Sequence, residues 1–188
     1  IVLAIGVMGG DQGPEATIDG VRMASKIYPN VKFKLFGDKR ISGSKLKKNG
    51  FINYEFIHTN ESIKSDDEPV NALRKLKKSS MRLGINEVSS KEADGFVSAG
   101  NTGALMAISK FVLRTLNGIN RPAIAGLMPT LKGQTVILDL GANVDCSNDN
   151  LVQFALMGDI FSQTVLGIQK PRIGLLNVGS ELIKGNSV

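Results

Sequence analysis

The chain has 188 residues, 42% of them hydrophobic and 5% aromatic, with one cysteine and a formal net charge of +6 from 23 basic and 17 acidic side chains. Its apolar runs are broken by charge or glycine within about a dozen residues, too few to span a bilayer; the first residues lack the basic flank and cleavage site of a signal peptide; and Cys146 alone can make no internal disulfide, so a cytoplasmic protein is expected. The basic excess favours acidic partners, while the absence of tryptophan and of any zinc-finger or RNP-type signature speaks against nucleic acid.

In chain order, an apolar strand over 2–7 runs into Met8-Gly-Gly-Asp-Gln-Gly-Pro14 and a helix over 15–28, with Pro14 suited to its first turn. Residues 31–36 and 53–57 read as further strands, and the basic stretch 39–49 between them as a loop with a short helix. Asp66-Asp-Glu68 and Pro69 then open a helix of about twenty residues, acidic where the dipole favours negative charge. At 100° per residue, Val70, Leu73, Met81, Ile85 and Val88 share an arc. Lys75, Lys78 and Arg82 fall outside that arc, but Arg74 and Lys77 fall inside it. A cation on a core-facing arc needs a partner, either an ion pair with a neighbour or an anion held in a cleft.

Ser98-Ala-Gly-Asn-Thr-Gly-Ala104 joins a strand over 94–98 to a buried helix over 104–113. Gly100 and Gly103 permit a tight turn, and Asn101 and Thr102 are residue types that cap a helix. The stretch is either an ordinary capped turn or, through the free N–H groups and the dipole of the helix start, a phosphate-type anion site. A turn at 117–122 and short strands over 123–127 and 135–140 follow, the second ending in Asp139-Leu-Gly-Ala-Asn-Val-Asp145 at the carboxyl end of what would be a parallel strand, where open α/β sheets place ligands. A helix over 151–166, a strand over 172–178 and a polar, glycine-bearing stretch over 179–188 complete the chain. The alternation of strands and helices predicts a single α/β domain over 1–188, a three-layer, doubly wound, mostly parallel sheet.

No G-x-S-x-G, G-x-x-x-x-G-K-[ST] or HExxH motif is present, and one histidine cannot build a His-rich metal site. No metal or other cofactor is expected. His58 at a strand end is a structural residue or a base, and Cys146 is a small packed thiol or, with a base nearby, a nucleophile. Gly9, Gly10 and Gly13, with Asp38 about 25 residues further on, depart from the spacing of a dinucleotide fingerprint.

Met8-Gly-Gly-Asp11 with Pro14, Asp67-Glu-Pro69, Ser79-Ser-Met81, Ser98-Ala-Gly-Asn-Thr-Gly-Ala-Leu-Met106, Arg121-Pro122, Leu138-Asp-Leu-Gly-Ala-Asn-Val-Asp145 and Gly174-Leu-Leu-Asn-Val-Gly179 with Lys184-Gly-Asn186 occur in this order from end to end. Together they closely resemble the phosphate acyltransferases of bacterial phospholipid synthesis, the PlsX family. That resemblance implies transfer of a fatty acyl group from acyl carrier protein to inorganic phosphate. It also implies a fold like that of the isopropylmalate dehydrogenases and phosphotransacetylases, a homodimer, and peripheral association with the inner face of the membrane. Position 6 departs from the family pattern, carrying Gly where an Asp ordinarily stands. Family members are also nearly twice this length, so the chain corresponds to the N-terminal part of the family fold.

A thioester is already activated, so phosphate can attack it without an enzyme nucleophile, and the protein has to bind the dianion, align it and stabilise the oxyanion. The groups expected to do so are Asn101, Lys77 and Lys184 as catalytic residues, with Gly9, Gly10, Asp11, Arg74, Ser98, Gly100, Thr102, Gly103, Asn143, Asp145 and Asn186 binding substrate or phosphate. Four loops, 8–14, 98–103, 139–147 and 177–186, are expected to line one cleft. The outward cations Lys75, Lys78 and Arg82 are expected to dock the acidic carrier protein. Two other functions compete on sequence alone: a nicotinamide-dependent dehydrogenase on a related fold, and a non-catalytic fragment that only binds carrier protein.

Overall fold

The computed structural model describes residues 1–46, 53–143 and 145–176. The chain divides into two compact units, Ile1–Arg114 and Thr115–Val188.

The first unit is built on four parallel strands, β1 (Val2–Gly6), β2 (Lys32–Gly37), β3 (Tyr54–His58) and β4 (Gly95–Ser98), in the order β3-β2-β1-β4. Leu3 of β1 lies beside Phe33 of β2 on one side and Gly95 of β4 on the other. Successive side chains of a strand face opposite ways, so the sheet has two apolar faces. Ile5, Val7, Phe33 and Leu35 pack with Ile18 and Val21 of helix α1 (Gly13–Ile27). Ala4 and Phe36 face the other way, where Leu83 and Val88 of helix α4 (Ser80–Ser89) cover them. On that second face Lys34 is a charge in an apolar setting, and Glu87 of α4 answers it with an ion pair of 2.5 Å. That hydrogen bond, more than any other influence, holds the Lys34 ammonium above the ordinary lysine value. Outside α4, a third cluster joins Ala72 of helix α3 (Pro69–Lys75), Met81 and Ile85 of α4, and Ala104 and Ile108 of helix α5 (Thr102–Leu113). The stretch expected to be a loop with a short helix contains helix α2 (Lys39–Leu46).

The twenty-residue helix expected after Pro69 is two helices. Leu76 leaves the helical region at φ −98, ψ 58, and Ser79 is the extended N-cap of α4, its Oγ accepting from the Arg82 N–H at 3.3 Å. Tertiary bonds replace the helical ones across the break: Thr59 Oγ1 donates to the Lys78 carbonyl at 2.5 Å, the Lys78 N–H donates to Glu61 Oε2 at 3.0 Å, and the Ser80 N–H donates to the Glu61 carbonyl at 3.1 Å. One helical wheel therefore does not carry from α3 to α4. Arg74 and Lys77, expected on a core-facing arc, are exposed, and Val70 from the apolar side of the same wheel is 55% exposed.

The second unit holds an antiparallel ribbon, β5 (Gly126–Thr130) and β6 (Gly133–Ile137), and one long helix, α6 (Asn148–Leu166). Among the described residues, the strand expected over 135–140 as part of the parallel sheet thus pairs only with its own hairpin neighbour. Two residues, Leu131 and Lys132, connect the strands, and so short a connection allows only antiparallel pairing. Helix α6 starts at a capping box: the Ser147 Oγ accepts from the Asn150 N–H, and the Asn150 Oδ1 accepts from the Ser147 N–H at 3.1 Å. Residues 172–176 of the strand expected over 172–178 are not in a strand, and 177–178 lie outside the described residues.

Candidate functional site

The order β3-β2-β1-β4 reverses direction at β1: the chain moves outward through β2 and β3, then crosses back to lay β4 on the other side of β1. The loops leaving β1 and β4 consequently sit side by side at the carboxyl edge of the sheet, the place where open α/β sheets form a crevice.

Those two loops touch through backbone. Gly9 and Gly10 have φ of +125 and +77, and a side chain at Gly9 would put its Cβ 2.9 Å from the Gly100 Cα. At Gly10 a Cβ would stand 3.1 Å from that of Ala99. Glycine is required at both positions, by conformation and by space. Helix α1 begins just beyond, with Pro14 in its first turn and no side chain capping its N-terminal N–H groups.

Across β4, Asn101 caps α5, its Oδ1 accepting from the Ala104 N–H at 2.9 Å. The same side chain's Nδ2 points to the carbonyls of Lys64, Ser65 and Asp67 at 3.2, 3.1 and 3.0 Å. Asn101 therefore ties the loop between β3 and α3 to the start of α5, and both ends of its amide are engaged in holding structure. Ser98 supports the turn, its Oγ accepting from the Gly100 N–H at 3.1 Å. Thr102 and Gly103 are exposed in the first turn of α5, where Gly103 leaves room for Pro69.

The loop after β1 and the stretch between β3 and α3 form a cleft of about 350 Å³, lined by Met8, Gly9, Gly10, Asp11 and residues 62–66; of the four loops expected to share one cleft only 8–14 lines it among the described residues, and no residue of 98–103 is among its lining residues. Its cation is Lys64, and its carboxylates are Asp11 and Asp66. Lys64 is the site residue that helical periodicity could not reveal, since it belongs to no helix. Its position just past the carboxyl end of a parallel strand was the available signal. Arg74 and Lys77, expected in the cleft, are not among its lining residues.

Asn143 and Asp145 belong to the second unit. There Asp139 accepts the N–H groups of Ile124 and Asn143, both at 2.6 Å, while Asn143 Nδ2 donates to the Pro122 carbonyl at 3.0 Å. Arg121 Nη1 donates to the Asp145 carbonyl at 2.9 Å. These bonds close the loop upon itself and leave the Asp145 side chain exposed. Lys184 and Asn186, with the loop 177–186, lie outside the described residues. Among the described residues no group of three or more His, Cys, Asp or Glu side chains is placed to hold a metal ion, and no helix is long and apolar enough to cross a membrane.

Asp38 stands at the end of β2, where a dinucleotide-binding fold keeps the acid that holds a ribose. Here Arg40 occupies both carboxylate oxygens, Nη2 meeting Oδ2 at 2.6 Å and Nε meeting Oδ1 at 3.1 Å. The guanidinium bonds, followed by the Arg40 backbone N–H, lower the Asp38 carboxyl from 3.8 to about 2. His58 accepts the Lys39 N–H on Nδ1 at 3.1 Å, the structural alternative for that residue. Gly6, at the position that departs from the family pattern, lies against the Phe96 ring, whose Cζ would be 2.9 Å from any Cβ added there.

The model of the family described as "Fatty acid synthesis protein" matches residues 1–188. A phosphate acyltransferase of Paramagnetospirillum magneticum is 52% identical over 188 residues, 99% of this chain and 54% of that protein. Proteins of the same name from Magnetococcus marinus and Aeromonas salmonicida are 50% and 47% identical, covering 98% and 99% of this chain and 53% and 56% of their own lengths. The chain belongs to the fatty acid synthesis protein family, and it spans about half the length of the curated relatives it matches.

Proposed function

We propose, with that family membership as the premise, that the protein transfers a fatty acyl group from the thioester of acyl carrier protein to inorganic phosphate, supplying acyl phosphate for phospholipid synthesis. The observation that carries the reading is the cleft at the sheet reversal, lined by the Gly9–Gly10 turn that leads into α1, whose start has no side-chain cap, and by the 62–66 stretch with Lys64. A phosphate oxygen attacks the thioester carbonyl, the new C–O bond forms, the C–S bond breaks, and the leaving thiolate takes the proton that hydrogen phosphate carried. No enzyme nucleophile is needed, so the chain's part is to hold and aim the dianion. Backbone N–H groups at Gly9 and Gly10 and the Lys64 ammonium bind phosphate, and the Asp11 carboxylate accepts its P–OH. Asn101 acts as a positioning residue by fixing the 64–67 carbonyls, a change from the direct catalytic role expected of it. Following the family resemblance, the working protein is a cytoplasmic homodimer that associates peripherally with the membrane.

The test is to incubate the chain with acyl carrier protein thioester and phosphate and to measure hydroxylamine-trapped acyl phosphate together with released thiol. Equal, phosphate-dependent yields of both are expected. Thiol release without acyl phosphate, or reduction of a nicotinamide in its place, overturns the reading. Lys64→Met removes one charge-assisted contact worth roughly 1.5–3 kcal/mol, an expected loss of about ten- to hundredfold in apparent phosphate affinity. Lys77→Met should leave that affinity unchanged.

A further inference from the structure

A larger groove, about 800 Å³, lies between α3, α4 and α5, shares no lining residue with the cleft above, and is lined by Leu73, Arg82, Ala107, Lys110, Phe111, Val112 and Arg114. Its composition is one-sided: apolar residues and three cations, with no acid among the lining side chains. None of the three cations forms an ion pair with another described residue. Arg82 lies over the Phe111 ring with its Cζ 5.3 Å from the centroid, and the ring is still 63% exposed. An exposed phenyl held by a guanidinium, beside two further cations, is the pattern of an interface anchor, since aromatic and arginine side chains dominate binding energy where a partner excludes water.

We infer that this groove is a docking surface for an acidic, amphipathic helix of a partner protein, and that the partner is the carrier that brings the acyl group. The inference rests on the acyl-transfer reading above for the carrier's identity, though not for the existence of the surface. Charge complementarity sets the partner's sign, because a groove with three unanswered cations attracts acids and repels bases. The mix of apolar side chains and cations fits the apolar and acidic faces of one amphipathic helix laid into the groove. Of the expected stripe of Lys75, Lys78 and Arg82, only Arg82 lines this groove. Arg82 takes part through its stacked position, and Lys110, Phe111 and Arg114 of the α5 end join it.

The experiment measures binding of purified acyl carrier protein to the 188-residue chain by titration, for the wild type and for Lys110→Glu, Arg114→Glu and Phe111→Ala. Lys26→Glu on α1, which packs on the opposite face of the sheet, serves as the charge-matched control, and circular dichroism verifies that each variant is folded. Each groove charge reversal should weaken binding about tenfold at low salt and much less at about 0.5 M salt, where the Debye length falls to a few ångströms. Phe111→Ala should weaken it at both salt concentrations, and Lys26→Glu should change little. Absence of wild-type binding, or equal effects of Lys26→Glu and Lys110→Glu, overturns the inference. So does loss of anionic-vesicle flotation in the groove variants with carrier binding intact, which would assign the groove to a lipid surface. Acyl phosphate formation from a small acyl-pantetheine thioester separates the two readings. If the wild type binds carrier through the groove yet forms no acyl phosphate from either the carrier-protein thioester or the small donor, the acyl-transfer reading fails and the docking surface stands; acyl phosphate from the small donor without groove-dependent carrier binding sinks the docking surface alone.

Discussion

The two units of this chain are held together by different means. In the first, a four-stranded parallel sheet is covered on both faces, and among the described residues it contains nearly all of the buried apolar side chains, from Ala4 to Ile108. In the second, Phe154 is the only hydrophobic residue that is buried among those described, and the outer positions Val152, Leu156 and Ile160 of α6 are each more than half exposed. What organises the second unit is polar: the Asp139–Asn143 knot, the Arg121 bond to the Asp145 carbonyl, and the Ser147–Asn150 capping box. Hydrophobic burial is the dominant favourable contribution to folding, while a hydrogen bond contributes only about 1 kcal/mol net, so the two units should differ sharply in autonomous stability.

The largest expected effect follows from separating them. A fragment ending at Arg114 should unfold cooperatively on heating, and one starting at Thr115 should show no cooperative transition by circular dichroism. A folded, cooperative second fragment would erase the distinction. Next in size, Ile85→Ala should cost about 2–5 kcal/mol, because it empties a fully enclosed position between α4 and α5. Phe154→Ala should leave the main denaturant transition of the whole chain in place, and equal shifts from the two substitutions would mean that the units share one core.

Smaller again is Gly84→Ala. A Cβ at Gly84 would lie inside van der Waals contact of the Phe96 ring, which also covers Gly6, so the ring has to move. A loss of about 1–3 kcal/mol is expected, with recovery in the double variant Gly84→Ala/Phe96→Leu; no recovery would place the strain in the helix backbone. The smallest effect is at acid pH. The folded Asp38 carboxyl titrates at about 2, below its ordinary 3.8, so its contribution is fully present above about pH 4 and is lost as pH falls through about 2. Arg40→Met should flatten the fall in melting temperature across that window, and an unchanged profile would show that Asp38 is not a source of acid sensitivity.

Much of the first unit was legible in the sequence because its determinants are local. Period-two apolar runs, glycines before helices, Pro14 in a first turn and Asn101 before Thr102 each act within a few residues of themselves, and strands β1 to β4 and helices α1 and α5 lie where those signals put them. The family was legible for the same reason, carried by contiguous motifs. Three decisions belonged to tertiary structure. The break between α3 and α4 is made by Thr59 and Glu61, seventeen or more residues from the groups they bond, so a wheel drawn through 70–88 assigned Arg74 and Lys77 to the wrong side. The strand at 133–137, Gly-Gln-Thr-Val-Ile, carries no pattern that states a pairing direction, and its partner in the fold is β5, antiparallel, rather than the main sheet. Lys64 became the cation of the cleft only because Asn101, 37 positions away, draws its backbone to the start of α5. Periodicity encodes which residues face a core; which loop meets which is set by strand order, a property of the folded sheet that no single stretch of sequence contains.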